Sequence, residues 1–260
     1  MGSSPVTVDV VVPVFNEEVD ISRNIPVLRD FLAGPAFPYD WRIVIGDNGS
    51  TDRTPEISRE LEAKYPGQLV YFRASAKGKG RVIKEAWLAS QADILSFMDV
   101  DLSTGLEAFP ALISAIADEG YDLSIGSRLH PESTVTRSIK RRILTRGYNV
   151  LVRILLQARF NDAQCGFKAA SSAAAHRLLP EVHDLGWFFD TEFLILAQKS
   201  GYRIAEVPVV WTEDESTSVR LASTITSDLA GLMRLCLGRP WRRVAKSVKD
   251  SGNTRLTGGP

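Results

Sequence analysis

The chain has 260 residues, 44% hydrophobic and 24% charged, which suits a soluble globular protein with one large α/β domain or two small ones. Its 31 basic and 31 acidic side chains balance, so bulk charge names no nucleic acid or other polyanion as a partner. Two cysteines, Cys165 and Cys236, fit neither a disulfide framework nor a metal spacing and point to a reducing cytoplasm, and neither a secretory leader nor a membrane-spanning run is expected.

The elements then come in alternation. Val8–Val14 (VDVVVPV) predicts a buried strand, and helical spacing over about residues 18–33 follows until Gly34 and Pro35 stop it. Arg42–Ile45 predicts a second strand, ending at Gly46-Asp47-Asn48-Gly49. Ser50-Thr51-Asp52 caps a helix over about residues 53–64, with Pro55 tolerated in its first turn. Leu69–Phe72 is a third strand, Lys77-Gly78-Lys79-Gly80 leads into a helix near residues 80–90, and Ile94–Met98 is a fourth strand. Residues 105–118 read as a helix, Leu123–Ser127 as a strand, and residues 138–157 as a basic helix. The pattern implies a mainly parallel sheet flanked by helices, with ligands beyond the carboxyl ends of its strands. Phe15-Asn16-Glu17, Asp47 and the pair Asp99 and Asp101 all fall at that edge.

The fourth strand ends in two aspartates one residue apart (SFMDVDLST, 96–104). Adjacent carboxylates repel, so the pair is either a plain strand-end turn or a site shared with a cation. Hard divalent ions such as Mg²⁺ or Mn²⁺ take few protein carboxylates and complete their shell with water and phosphate oxygens. A second cluster, Arg128, Arg137, Lys140, Arg141, Arg142 and Arg146, offers planar guanidinium forks suited to phosphate, or else a solvated helix face. Asp190 and Glu192 sit where a helix would be capped, although an acidic residue there could also serve an acceptor or act as a base.

In order, PVFNEE (13–18), DNGSTD (47–52), KGKGRVIKEA (77–86), DVDLS (99–103) and GSR (126–128) resemble glycosyltransferase family 2, inverting enzymes on the Rossmann-like GT-A fold. The resemblance covers residues 7–215. DAQCGFKAA (162–170), WFFDTEFLILA (187–197) and GYRIAEVPVVW (201–211) narrow it to polyprenyl- and dolichyl-phosphate sugar synthases, the glucosyl branch in particular.

That resemblance implies roles. Pro13, Phe15, Glu17 and Asp47 would hold the nucleoside, Lys79 would lie near the diphosphate, and Asp99 and Asp101 would engage nucleotide and metal. Ser103 stands where relatives carry a metal-holding Gln and is a poorer ligand; Asn48 stands where many carry a second Asp. Arg128, Arg141 or Arg142, and Thr145 would meet the acceptor phosphate, and Gln164 and Lys168 would line the acceptor side. The catalytic set is then Asp99, Asp101, Arg128 and Asp190. The implied reaction moves a hexosyl group, glucose favoured, from a nucleoside-diphosphate sugar to polyprenyl phosphate. The alternatives are transfer to a hydroxyl with Asp190 as base, or a nucleotide-sugar-binding regulator without turnover.

The expected organisation is a catalytic domain over 1–222, a C-terminal amphipathic helical segment over 223–249 and a disordered tail over 250–260. In the segment Leu229, Leu232, Met233 and Trp241 alternate with Arg234, Arg239, Arg242, Lys246 and Lys249, and Pro240 breaks or kinks it. Such a helix could lie on a membrane or pack on the domain, which places the chain at the cytoplasmic face, on lipid or on a separate membrane subunit. A homo-oligomer is left open.

Overall fold

The structure is a computed structural model describing residues 5–213 and 221–244, apart from the side chains of residues 140–141 and 221–226. The expected tail, with Lys246 and Lys249, lies outside the described residues.

Strand β1 (Thr7–Val14), helix α1 (Glu18–Leu32), β2 (Asp40–Asp47), α2 (Thr54–Lys64), β3 (Leu69–Arg73), α3 (Lys79–Ala89) and β4 (Ile94–Met98) follow one another as the alternation predicts. A short 3-10 turn, Leu106–Ala108, precedes α4 (Phe109–Ala117), so the helix expected from 105 starts later, with Pro110 in its first turn. Then come β5 (Leu123–Ser127), β6 (Thr134–Thr136), α5 (Ile139–Leu156), β7 (Phe167–Ser171), α6 (Ser172–Leu178), α7 (Phe189–Lys199), β8 (Ile204–Pro208), β9 (Val210–Thr212) and α8 (Leu221–Gly238).

Seven strands form one sheet in the order β3-β2-β1-β4-β7-β5-β8, and β6 pairs with β9 in a separate two-stranded ribbon. All pairings of the large sheet are parallel except those of β7, which runs antiparallel between β4 and β5. The strand pleat sends alternate residues to opposite faces. Val10, Val12, Ile43 and Ile45 go to one core with Ile21, Ile25 and Leu28 of α1 and Phe109 and Leu112 of α4. Val11, Val44, Leu95 and Phe97 go to the other, under Val82 and Trp87 of α3, Phe193 and Leu196 of α7, and Leu232 and Leu235 of α8. Strands covered on both faces explain the unbroken valine run of β1.

The chain order leaves a topological switch between β1 and β4, since β2 and β3 extend to one side and β4 to the other. A crevice opens there beyond the carboxyl ends. The loops after β1 and β4, carrying Phe15–Glu17 and Asp99–Asp101, border it.

The C-terminal segment is packed on the domain through Leu232, Leu235 and Val244. Gly231 has no room for a Cβ, which would lie 2.4 Å from the Phe188 ring. The helix ends at Gly238, just before Arg239 (φ 46°) and Pro240, where the break was expected.

Candidate active site

The edge expected to meet a donor is stitched from three loops. Asn16 sits at φ 56° and accepts at Oδ1 from Thr51 N at 2.8 Å, while its own N–H donates to Ser50 Oγ at 2.9 Å. Glu17 N donates to Thr54 Oγ1 at 2.9 Å, and Thr54 N donates to Asp52 Oδ1 at 3.0 Å; the N-cap of α2 is Arg53, which makes no side-chain capping bond, so Asp52 braces the turn before the helix and the expected cap is not made. Asn48 Oδ1 accepts from Gly78 N. Asp47 is fully buried: Oδ1 accepts from Ser50 N at 2.7 Å, and Oδ2 accepts from Tyr71 Oη at 2.7 Å and Arg73 Nη1 at 3.1 Å. In this structure Asp47 therefore organises the loop. Phe15 lies 3.7 Å, ring centroid to Nζ, from Lys77.

Asp99 is partly open to solvent. Its side chain is 43% exposed, and Oδ1 accepts from Lys79 Nζ at 2.6 Å. Gly166 makes room for it, because a Cβ there would come within 1.8 Å of Asp99 Oδ2. Burial alone would lower the Lys79 pKa; Asp99, Asp190 and Asp101 outweigh that and hold it above its usual value. Asp101 Oδ1 accepts from the backbone N–H of Ser103 at 2.9 Å. Ser103 thus orients Asp101 through its main chain. Nearby, desolvation pushes the Glu17 carboxyl up to about 7, helped by a hydrogen bond and charge repulsion from Asp20 and by repulsion from Asp101 and Asp52.

A divalent cation fits this chemistry. Glu17, Asp20, Asp52 and Asp101 concentrate negative charge at one edge, as the raised Glu17 pKa registers. Among the described residues, no group of three or more His, Cys, Asp or Glu is placed to hold a metal ion by itself. A hard ion held by one or two carboxylates with substrate phosphate matches such a partial donor set.

The middle of the edge is carried by β7 and α7. Lys168, on β7 and 1% exposed, donates to Asp190 Oδ1 at 2.7 Å and to the Cys165 carbonyl. Asp190 lies in the first turn of α7, whose N-cap is Phe188, so the capping role read for Asp190 is not taken up. Burial pushes the Cys165 thiol up to about 11, which keeps it protonated as a small core residue. Glu192, also buried, accepts both Arg234 Nη atoms, at 2.6 and 2.8 Å, pinning α8 to α7.

The edge expected to meet an acceptor is basic. Arg128, just after β5, donates from Nε and Nη2 to Asp162 at 2.7 and 2.9 Å, leaving Nη1 outside the fork. Burial works to raise the Asp162 pKa; the Arg128 guanidinium overcomes it and holds the carboxyl below its usual range. A cavity of about 530 Å³ adjoins the pair, and Arg128, Arg137, Arg142, Thr145, Arg146 and Arg153 contribute to its wall. Arg137 donates to Thr145 Oγ1 at 3.0 Å, and Arg128 and Arg137 both lie over the Trp211 ring, at 5.7 and 4.9 Å. Arg142, Arg146 and Arg153 have no carboxylate partner among the described residues. Arg141 is in α5, but its side chain lies outside the described residues. Of the residues singled out in the sequence, Arg128, Arg137, Arg142, Thr145 and Arg146 thus lie around one cavity, while Arg153 and the Trp211 ring beside Arg128 and Arg137, brought in by α5 and β9, were not anticipated.

A family model described as Glycosyl transferase family 2 matches residues 9–179. Glycosyltransferase AglD of Haloferax volcanii is 36% identical over 224 residues, covering 85% of this chain and 35% of that protein, so the chain spans about a third of it. The dolichyl-phosphate beta-glucosyltransferases of Saccharomyces cerevisiae and Homo sapiens are 31% and 32% identical, with 82% and 81% of this chain and 69% and 68% of those proteins covered. Among solved structures, glucosyl-3-phosphoglycerate synthase from Mycobacterium tuberculosis, in complex with Mn²⁺, uridine diphosphate and phosphoglyceric acid, superposes with a TM-score of 0.65 at 21% identity. That likeness covers 89% of this chain and 78% of that one, and it is a likeness of fold.

Proposed function

The chain belongs to glycosyltransferase family 2 and has the GT-A fold, and on that premise we propose that it transfers glucose, with inversion, from UDP-glucose to a polyprenyl phosphate. The observation that carries the reading is the arginine-walled cavity beside Arg128, across the sheet edge from the acidic donor loops. The names of the yeast and human relatives supply the glucosyl group and the lipid phosphate.

The two edges divide the work. Lys79 is charged and lies beside Asp99, where a nucleoside diphosphate would sit. Asp101, with Asp99 beside it, would hold a divalent cation. When bound, that ion supplies charge neutralisation for the leaving diphosphate. Arg142, Arg146 and Arg153 would orient the acceptor phosphate, with Arg128 and Thr145 at the cavity wall.

A phosphomonoester has a second pKa near about 6, so it reaches the site as an anion. One phosphate oxygen forms a bond to the anomeric carbon as the bond from that carbon to the diphosphate oxygen breaks. No side chain must take a proton. The buried Lys168–Asp190 pair supports a structural or orienting role for Asp190 over that of a base.

Helix α5 supports delivery from a membrane. Ile139, Ile143, Val150 and Ile154 lie on its outward face, each 50–74% exposed. The same helix lends Arg142, Arg146, Val150 and Arg153 to the cavity. Leu229, Met233 and Leu237 of α8 are exposed one turn apart. No described helix is long and apolar enough to cross a membrane; the exposed apolar faces of α5 and α8 support seating of this domain on the cytoplasmic leaflet. Ile143→Asp combined with Ile154→Asp should abolish co-flotation with anionic liposomes while leaving UDP binding intact.

The test of the reaction is transfer from radiolabelled UDP-glucose, with Mg²⁺ or Mn²⁺, to polyprenyl phosphate. Acid-labile label in the organic phase is expected. Label found only on a hydroxyl acceptor, or none despite nucleotide binding, would overturn the reading.

A further inference from the structure

The loop between α6 and α7 presents an aromatic ring to the Lys79–Asp99 pair. Trp187 is 49% exposed, unusual for so large an apolar side chain beside a catalytic edge. Its ring centroid is 5.0 Å from Lys79 Nζ, the ammonium paired with Asp99. It therefore stands where the diphosphate end of a donor would meet its sugar.

The segment holding Trp187 is fixed from both sides. Asp184 N donates to the buried Glu192 Oε2 at 2.7 Å, and Gly186 N donates to Asp184 Oδ1 at 2.8 Å. The carbonyls of Leu185 and Gly186 accept the first-turn N–H groups of α3, from Arg81 at 3.0 Å and Gly80 at 3.2 Å. The contact is tight: a Cβ on Gly78 would lie 2.3 Å from the Leu185 carbonyl oxygen, and one on Gly80 would lie 2.4 Å from Phe189 Cβ. Two consequences follow. Those two helix N–H groups are already satisfied within the protein, so they are not free to meet a diphosphate, whereas the Lys79 ammonium stands beside the loop. Trp187 is also presented on a rigid support, the condition under which a side chain can position a ligand without a large ordering cost.

We propose that Trp187 is the stacking platform for the hexosyl group of the donor. A pyranose ring has an apolar face of C–H bonds whose hydrogens carry slight positive charge. An indole face is flat, apolar and negative at its centre, and the two surfaces match. Lys79 at the same ring would hold the diphosphate oxygens, so one aromatic side chain fixes where phosphate ends and sugar begins. Trp187 would set the orientation of the anomeric carbon and disfavour donors whose axial hydroxyls interrupt the C–H face. This assignment rests on the nucleotide-sugar donor proposed above.

The experiment is calorimetric binding of UDP and UDP-glucose, with Mg²⁺, to the full chain and to Trp187→Phe and Trp187→Ala. In the parent, UDP-glucose should bind more tightly than UDP. Trp187→Ala should lose about tenfold for UDP-glucose and less than twofold for UDP, and Trp187→Phe should keep most of the difference. Equal losses for both ligands in Trp187→Ala, or no loss for either, would overturn the stacking role while leaving the donor assignment standing. A parent that binds neither ligand would overturn the donor assignment and the stacking role together.

Discussion

The edges proposed for donor and acceptor each place a lysine or arginine against an aspartate, yet the two pairs differ in how far they are buried. Lys79–Asp99 is open on the carboxylate side, with Asp99 43% exposed, so an incoming ligand can compete for either charge. Arg128–Asp162 is closed, with side chains 10% and 0% exposed, and three N–H groups of Arg128 converge on the one carboxylate. On the proposed function, the first pair is a site held in readiness. The second is framework that fixes the floor of a cavity whose unpaired cations come from α5. A resemblance that assigns both cations to substrate does not separate these cases; burial does.

The largest effect should come at the open edge. Asp101→Asn removes a negative charge from an acidic cluster while keeping a side-chain oxygen to accept from the Ser103 N–H. Transfer from UDP-glucose should fall by about 10³-fold or more, as when a charge-stabilising group is lost from an active site. A variant within tenfold of the parent would remove Asp101 from the donor machinery.

At the closed edge the same kind of change should strike stability first. Arg128→Ala strands a fully buried carboxylate, which costs about 3–5 kcal/mol when such a pair is broken from one side. Urea denaturation should report that loss, and a companion Asp162→Leu in the Arg128→Met background should recover most of it. Acceptor use should stay impaired in the recovered protein. If Arg128→Ala proves as stable as the parent, the contrast between the two pairs is wrong.

Arg146→Ala sharpens the comparison by removing an unpaired cation. Its expected signature is a KM for polyprenyl phosphate raised about tenfold, with the KM for UDP-glucose and the denaturation midpoint unchanged. An equal loss for both substrates would mean that the cavity does not belong to the acceptor alone.

What could be read from sequence followed from local chemistry. The valine run of β1, the Asp-Asn-Gly turn after β2 and the Gly-Lys-Gly entry to α3 state their own structure. Because parallel strands present their loops on one edge, Phe15, Asp47 and Asp99 could be placed together without coordinates. β7 could not be read, because Phe-Lys-Ala-Ala-Ser carries no β-branched residue and becomes a strand only by sitting between β4 and β5. The partner of Arg128 lies 34 residues away, and the Trp211 ring that meets Arg128 and Arg137 comes from a ribbon of two three-residue strands. The amphipathic pattern of α8 was plain. That its inner face is buried against α7, with Arg234 on Glu192, needed the fold.

Asp228 departs from the pairing seen at both edges. It is 3% exposed on α8, Oδ2 accepts from Gln164 Nε2 at 3.0 Å, and no cation faces it among the described residues. Desolvation raises its pKa from 3.8 to about 6, with repulsion from Asp184 and Asp190 adding to the shift and the Gln164 bond opposing it. The sign follows directly. Between pH 3.8 and about 6 the unfolded chain releases the proton while the folded chain keeps it, so stability falls as pH rises across that window. Above it both states are ionised and the penalty is constant. Asp228→Asn keeps an acceptor for Gln164 and removes the charge. Its melting temperature should match the parent near pH 4, exceed it by a few degrees above about pH 6.5, and separate progressively between. A difference that is flat with pH would mean that α8 is held by packing and the Arg234–Glu192 pair, with Asp228 contributing no charge penalty.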